Sequence, residues 1–124
     1  MRLKVNSATK DKKNTIFATT GGKEFNPELP VIIFLHCAGA DHSIWYLQTR
    51  YFAYHGFSIL AVDFPGHGRS EGECIKSIEG MAEWIPELLI AADLEKASLV
   101  GHSMGALVAL ELSLIHISEP TRPY

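Results

Sequence analysis

The chain has 124 residues, 11 of them basic and 14 acidic, for a formal charge of −3. That length suits one domain with a core of its own, and the charge balance leaves no basic stripe, so nucleic acid and anionic membrane surfaces are not expected partners. Two cysteines, Cys37 and Cys74, make no disulfide framework and share no metal-ligand spacing with the six histidines. A reducing cytoplasm and no metal or cofactor are therefore expected. The polar start Met1 to Asn6 lacks a signal core, and no run approaches the ~18 apolar residues that a membrane span needs.

In chain order, Leu3 and Val5 alternate with polar residues, and Thr15 to Thr19 is a β-branched run closed by Gly21 and Gly22. These predict two short antiparallel strands. Lys10 to Lys13 reads as a solvated turn between them, and Asn26 to Pro30, with two prolines, reads as a loop. Val31 to Leu35 is apolar without alternation, as a strand buried on both faces requires. Ser43 is expected to cap a helix through Tyr54, with Ile44, Leu47, Tyr51 and Tyr54 at helical spacing and His55-Gly56 ending it. Phe57 to Val62 predicts a second buried strand. Cys74 to Leu94 has helical periodicity, with Pro86 expected to kink or restart the helix. Ala97 to Val100 predicts a third buried strand, followed by an apolar helix from Ala106 to Leu112.

Strands alternating with helices through short connections predict an α/β fold, a mostly parallel sheet with helices on both faces. Ligands of such sheets bind at the carboxyl ends of the strands. The loops of unusual composition all fall there: His36 to Asp41, Asp63 to Ser70, and Gly101 to Gly105.

The last of these reads Gly101-His102-Ser103-Met104-Gly105. A strand turning sharply into a helix holds its corner residue in a strained conformation and pushes its side chain into the open. Glycines two residues to either side keep strand and helix from clashing, and the helix N-terminus brings unpaired N–H groups near the serine oxygen. Ser103 is thus a candidate nucleophile; the plainer reading is an ordinary strand-to-helix turn.

With His36-Cys37-Ala38-Gly39 after the first buried strand and Asp63-Phe64-Pro65-Gly66-His67-Gly68-Arg69-Ser70 after the second, the chain resembles the α/β-hydrolase superfamily, and within it small serine esterases and lipases, over residues 29–112. The resemblance implies a Ser-acid-His triad with Ser103 as nucleophile, and an oxyanion hole from the amides of Ala38 and Met104. It implies a small-molecule ester as substrate. His36, His67 and Asp63 would brace their loops, with Gly101 and Gly105 supporting the elbow, because in this fold the triad acid and histidine follow the nucleophile. By the same order His42 would help start its helix and His102 would fill the variable position of the elbow. The family usually has glycine where Cys37 stands; the cysteine either alters the aim of the Ala38 amide or is a small residue that fits.

Beyond the elbow helix, residues 113–124 read as a tail foreign to the domain, resembling translated adapter sequence, with two prolines that oppose regular structure. A helix of about twelve residues would carry His116 some ~18 Å from Ser103. The expectation is therefore the N-terminal part of a serine hydrolase, residues 1–112, inactive alone and with an open sheet edge beside Ser103. The alternatives are a small-molecule-binding protein on the same fold and a truncated product without function. Substrate identity and oligomeric state are not legible.

Overall fold

The computed structural model describes residues 1–116. Five strands form one sheet: β1 (Arg2–Asn6), β2 (Lys13–Thr19), β3 (Val31–Leu35), β4 (Ser58–Val62) and β5 (Ser98–Gly101), in the order β1-β2-β4-β3-β5. The alternation in β1 and β2 works as its period of two requires. Leu3, Val5, Ile16 and Ala18 all turn to the core, and the pair is antiparallel with Leu3 opposite Ile16. β3 and β4 are buried at all five positions and pair in parallel from Val31–Ser58 to Leu35–Val62. β5 lies parallel on the other side of β3, from Ile32–Ser98 to Leu35–Gly101.

Successive residues of β3 sort onto opposite faces of the sheet. Ile33 and Leu35 join Leu60, Val62, Trp84, Leu88, Val108 and Leu112 in the larger core, formed with helices α2 (Ile78–Ala91) and α3 (Met104–His116). Ile32 and Phe34 join Ala53, Ile59 and Ala61 in the smaller one, under helix α1 (Tyr46–Ala53). The chain leaves β3 through α1 to β4 on one side, then returns through α2 to β5 on the other. Crossovers of one hand that run in opposite directions put their helices on opposite faces, and the reversal opens a crevice at the carboxyl ends of β3 and β5. Among the described residues, no helix is long and apolar enough to cross a membrane.

Several local expectations are corrected. Asp41, not Ser43, caps the segment before α1: its carboxylate accepts from the Ser43 amide at 2.8 Å, and a 3₁₀ turn (His42–Trp45) precedes the α-helix. The stripe Ile44, Leu47, Tyr51 and Tyr54 faces solvent, Leu47 at 75% exposure, while Thr49 and Ala53 are buried. The reason is close approach. A Cβ on Gly21 would lie 2.5 Å from the Thr49 carbonyl oxygen and 2.7 Å from the Ala53 Cβ, so only small residues fit on the inward side of α1.

α2 starts at Ile78 rather than at Cys74, because Ser77 is extended and its hydroxyl accepts from the Gly80 amide at 2.9 Å. The helix runs through Pro86 without a break. Burial of Met81, Trp84, Ile85 and Leu88 around it offsets the ~3 kcal/mol that an interior proline costs. β4 and β5 each begin one residue later than expected, at Ser58 and Ser98, and β5, expected to be buried, has no buried position, because among the described residues it lies at the edge of the sheet with only β3 beside it. α3 continues to His116, so residues 113–116 of the supposed tail extend the elbow helix; residues 117–124, and Glu119 with them, lie outside the described residues.

Candidate active site

At the crevice, β5 ends at Gly101, α3 begins at Met104, and Ser103 between them has φ of +55°. The turn is tied down on both sides. The His102 amide donates to the Leu35 carbonyl at 3.2 Å, the Gly105 amide to the His102 carbonyl at 3.0 Å, and the Leu107 amide to the Ser103 carbonyl at 3.1 Å. A Cβ on Gly101 would collide with the Gly105 carbonyl, and one on Gly105 would collide with the Leu35 carbonyl. Neither glycine has a positive φ, so both are there for close approach rather than for conformational freedom. The Ser103 side chain is exposed, as is that of His102, and among the described residues the Ser103 hydroxyl has no hydrogen-bond partner.

The loop leaving β3 emerges beside the elbow, since Leu35 and Gly101 are paired neighbours. His36 is fully buried and joins two loops: its Nε2 accepts from the Phe64 amide at 3.1 Å, and its Nδ1 donates to the Cys37 carbonyl at 2.7 Å. Those partners fix the neutral Nδ1–H tautomer. Burial pushes the His36 pKa down, outweighing the bond to Cys37, which acts the other way. The Cys37 carbonyl also accepts from the Ala40 amide at 3.2 Å, closing a tight turn with Gly39 at φ +72°. Cys37 is half-buried, and its loop leaves the Ala38 amide without a partner among the described residues; the Met104 amide is likewise unpartnered there.

Asp63, at the end of β4, is fully buried. Its carboxylate accepts from the His42 amide at 2.7 Å, from His42 Nδ1 at 2.9 Å and from the Arg69 amide at 2.9 Å, while its carbonyl accepts from the Ser70 hydroxyl at 2.7 Å. Gly68, at φ +51°, lies against that carboxylate and leaves no room for a side chain. His67 turns its Nδ1 toward the Pro65 carbonyl at 3.1 Å, with its ring 5.0 Å from that of His36. The structure therefore brings Ser103, Ala38 and Met104 to one edge beside β3. It places Asp63 across β3, two strand spacings or about 9–10 Å from the elbow strand.

The residue that sequence reasoning undervalued is His42, expected only to start a helix and found on the Asp63 carboxylate. Asp41, His42 and Asp63 offer ligand atoms within 4.8 Å of one another, a grouping that could hold a cation. Their hydrogen bonds to one another, to Ser43 and to Arg69 already account for them.

A parallel-centred sheet with a strained serine at the switch point defines an α/β protein of the hydrolase type. Residues 32–121 match the alpha/beta hydrolase family, and the chain belongs to that family. It is 32% identical over 85 residues to 3-oxoadipate enol-lactonase 1 of Acinetobacter baylyi, covering 68% of this chain and 32% of that protein. It is also 32% identical over 88 residues to 2-succinyl-6-hydroxy-2,4-cyclohexadiene-1-carboxylate synthase of Escherichia coli, covering 71% and 34%. The chain thus spans about a third of the length of the curated relatives it matches. Among solved structures, a thermophilic esterase from Thermogutta terrifontis superposes with a TM-score of 0.77 at 20% identity, over 99% of this chain and 43% of that one, a likeness of fold. Est816, described as an N-acyl homoserine lactone degrading enzyme, superposes with a TM-score of 0.68 at 30% identity, over 89% and 39%.

Proposed function

We propose that this chain carries the nucleophile half of a serine hydrolase that cleaves carboxylic esters by acyl transfer, with Ser103 as the attacking group. The observation that carries this reading is the Ser103 backbone at φ +55° between β5 and α3. A left-handed conformation costs a non-glycine residue about 1–2 kcal/mol and persists only where its surroundings over-determine it. What it obtains here is an exposed hydroxyl at a helix N-terminus, at the same sheet edge as the Met104 and Ala38 amides, which have no partner among the described residues.

In the reaction, the Ser103 oxygen adds to the ester carbonyl carbon while its proton passes to a base. The carbonyl oxygen becomes an oxyanion held by the Ala38 and Met104 amides, each worth roughly 2.7–4 kcal/mol in such sites. Collapse expels the alcohol and leaves an acyl-serine, which water then cleaves. His36 is committed to Phe64 and Cys37, and His42 sits on Asp63, two strand spacings from the elbow strand; the reading therefore takes the base from a histidine later in the chain, in the order this fold uses. The relatives named for lactones act on cyclic esters, which supports the ester class; the synthase among them is a reminder that the fold alone does not fix the reaction.

The test is acylation by a fluorophosphonate, with the modified residue located by mass spectrometry. An oxyanion hole alone retains part of the rate advantage when a triad member is missing. Ser103 is therefore expected to be labelled well ahead of the exposed Ser43 and Ser98, and Ser103→Ala to abolish the difference. Turnover of esters by residues 1–124 is expected near background. Labelling spread evenly over the three serines would refute the assignment and favour a binding protein on the same fold.

A further inference from the structure

On the far side of β4 from Ser103, a cavity of about 350 Å³ opens between the end of β2 and α1. Thr19, Thr20 and Gly22 line one wall, and His42, Thr49 and Arg50 the other. That volume lies within the range of small-molecule sites.

Two of its groups are held in fixed orientations without being used up. The His42 ring is fixed by the buried Asp63 carboxylate at Nδ1, 2.9 Å away, and lies against the Phe17 ring with centroids 5.0 Å apart. Because Asp63 can only accept, Nδ1 carries the proton and donates, which leaves Nε2 of the neutral ring as an acceptor. Nε2 has no partner among the described residues. The Arg50 guanidinium is stacked 5.2 Å above the Tyr54 ring, and the Tyr54 hydroxyl donates to the Gly22 carbonyl at 3.2 Å. Arg50 Nη1 lies 3.4 Å from where a Gly22 side chain would begin, so the guanidinium rests on the cavity wall. Among the described residues it has no carboxylate partner.

The neighbouring acids do not compete for it. Asp63 is saturated by His42 and Arg69, and Asp41 accepts from the Ser43 amide and hydroxyl at 2.8 and 2.6 Å. A preorganised guanidinium recognises a carboxylate through paired N–H donors, and an oriented imidazole acceptor recognises a hydroxyl. Thr19 and Thr20 supply further hydroxyls. We propose that this cavity is a second site, separate from Ser103, that binds a small hydroxy acid with its carboxylate on Arg50 and its hydroxyl donating to His42 Nε2.

The probe is L-lactate, with lactamide as its uncharged counterpart. Binding to the full 124-residue chain is followed by ¹H–¹⁵N correlation spectra of the backbone and of the His42 ring nitrogens. Saturable shifts at Thr20, Gly21, Gly22 and His42 Nε2 are expected with lactate, at least tenfold weaker with lactamide. Arg50→Gln, at an exposed position that leaves the fold intact, is expected to weaken lactate at least tenfold, and His42→Gln to weaken it severalfold. The Arg50→Gln spectrum checks folding if the His42 variant fails to fold. No saturable shift, equal binding of lactamide, or unchanged binding by Arg50→Gln would each overturn the proposal. None of these readouts depends on the reactivity of Ser103, so failure here leaves the nucleophile assignment standing and the reverse holds as well.

Discussion

Gly105 sets the spacing between the elbow helix and β3, and Gly105→Ala opposes two effects of known sign. In an ordinary helix the change stabilises by about 1 kcal/mol, the propensity difference between glycine and alanine. Here the new Cβ would meet the Leu35 carbonyl oxygen, with the Leu35 carbonyl carbon at 2.7 Å and its Cβ at 2.9 Å. Leu35 belongs to a fully buried strand hydrogen-bonded on both sides, so it cannot give way. The start of α3 must move instead, at an overpacking cost of about 1–3 kcal/mol plus about 1 kcal/mol for the His102–Leu35 hydrogen bond. The net expectation is a loss of about 2 kcal/mol, measured as a lower urea midpoint at unchanged slope. Selective labelling of Ser103 should fall with it, since the same shift displaces the Met104 amide. A Gly105→Ala variant as stable as the parent would refute the close-approach account of the elbow.

Ser103→Gly should be more stable than Ser103→Ala by about 1 kcal/mol in the same urea assay, because only glycine escapes the penalty at φ +55°. Stability should fall as pH drops below about 6.5: the unfolded chain then binds a proton that buried His36, with its lowered pKa, refuses until lower pH. His36→Gln should flatten that part of the profile, and an equally steep profile would assign the dependence elsewhere. Asp63→Ala should cost several kcal/mol in the urea midpoint, since it strands the buried donors of His42 and Arg69. Among the described residues the sheet ends at β5, and Val100 on that strand and Leu107 and Leu110 on α3 are 37%, 54% and 56% exposed. Leu107→Glu with Leu110→Glu should therefore reduce concentration-dependent self-association in sedimentation velocity while barely altering stability.

Four strands were legible because each follows one rule of burial, alternation in β1 and β2 and unbroken apolarity in β3 and β4, whereas β5 read as buried from its composition and is an exposed edge. The elbow was legible because its glycines answer a local steric demand that the pentapeptide itself displays. What the sequence hid depends on pairs distant along the chain. The inward face of α1 is chosen by Gly21 pressing on Thr49 and Ala53, which no helical periodicity encodes, so the spacing of the large apolar residues marked the helix but not its buried side. His42 finds Asp63 only because β3 and β4 are neighbours that end at the same level.

That difference in origin bears on how the two candidate sites relate. The elbow is built from contacts among β3, β5 and the start of α3, with every tie running between Leu35 and Leu107. The His42–Asp63 pair is built from the loops after β3 and β4 and leans on Phe17 of β2. Among the described residues, His36 is the side chain that bonds to both loops, through Cys37 on one side and Phe64 on the other. Coupling between the two sites is expected to run through that imidazole, which touches both loops. In a double-mutant cycle, any coupling between lactate binding and Ser103 labelling should therefore appear where His36 is retained and vanish to additivity in His36→Gln. A coupling that survives His36→Gln would show that the sheet, rather than the loops at its edge, transmits between them.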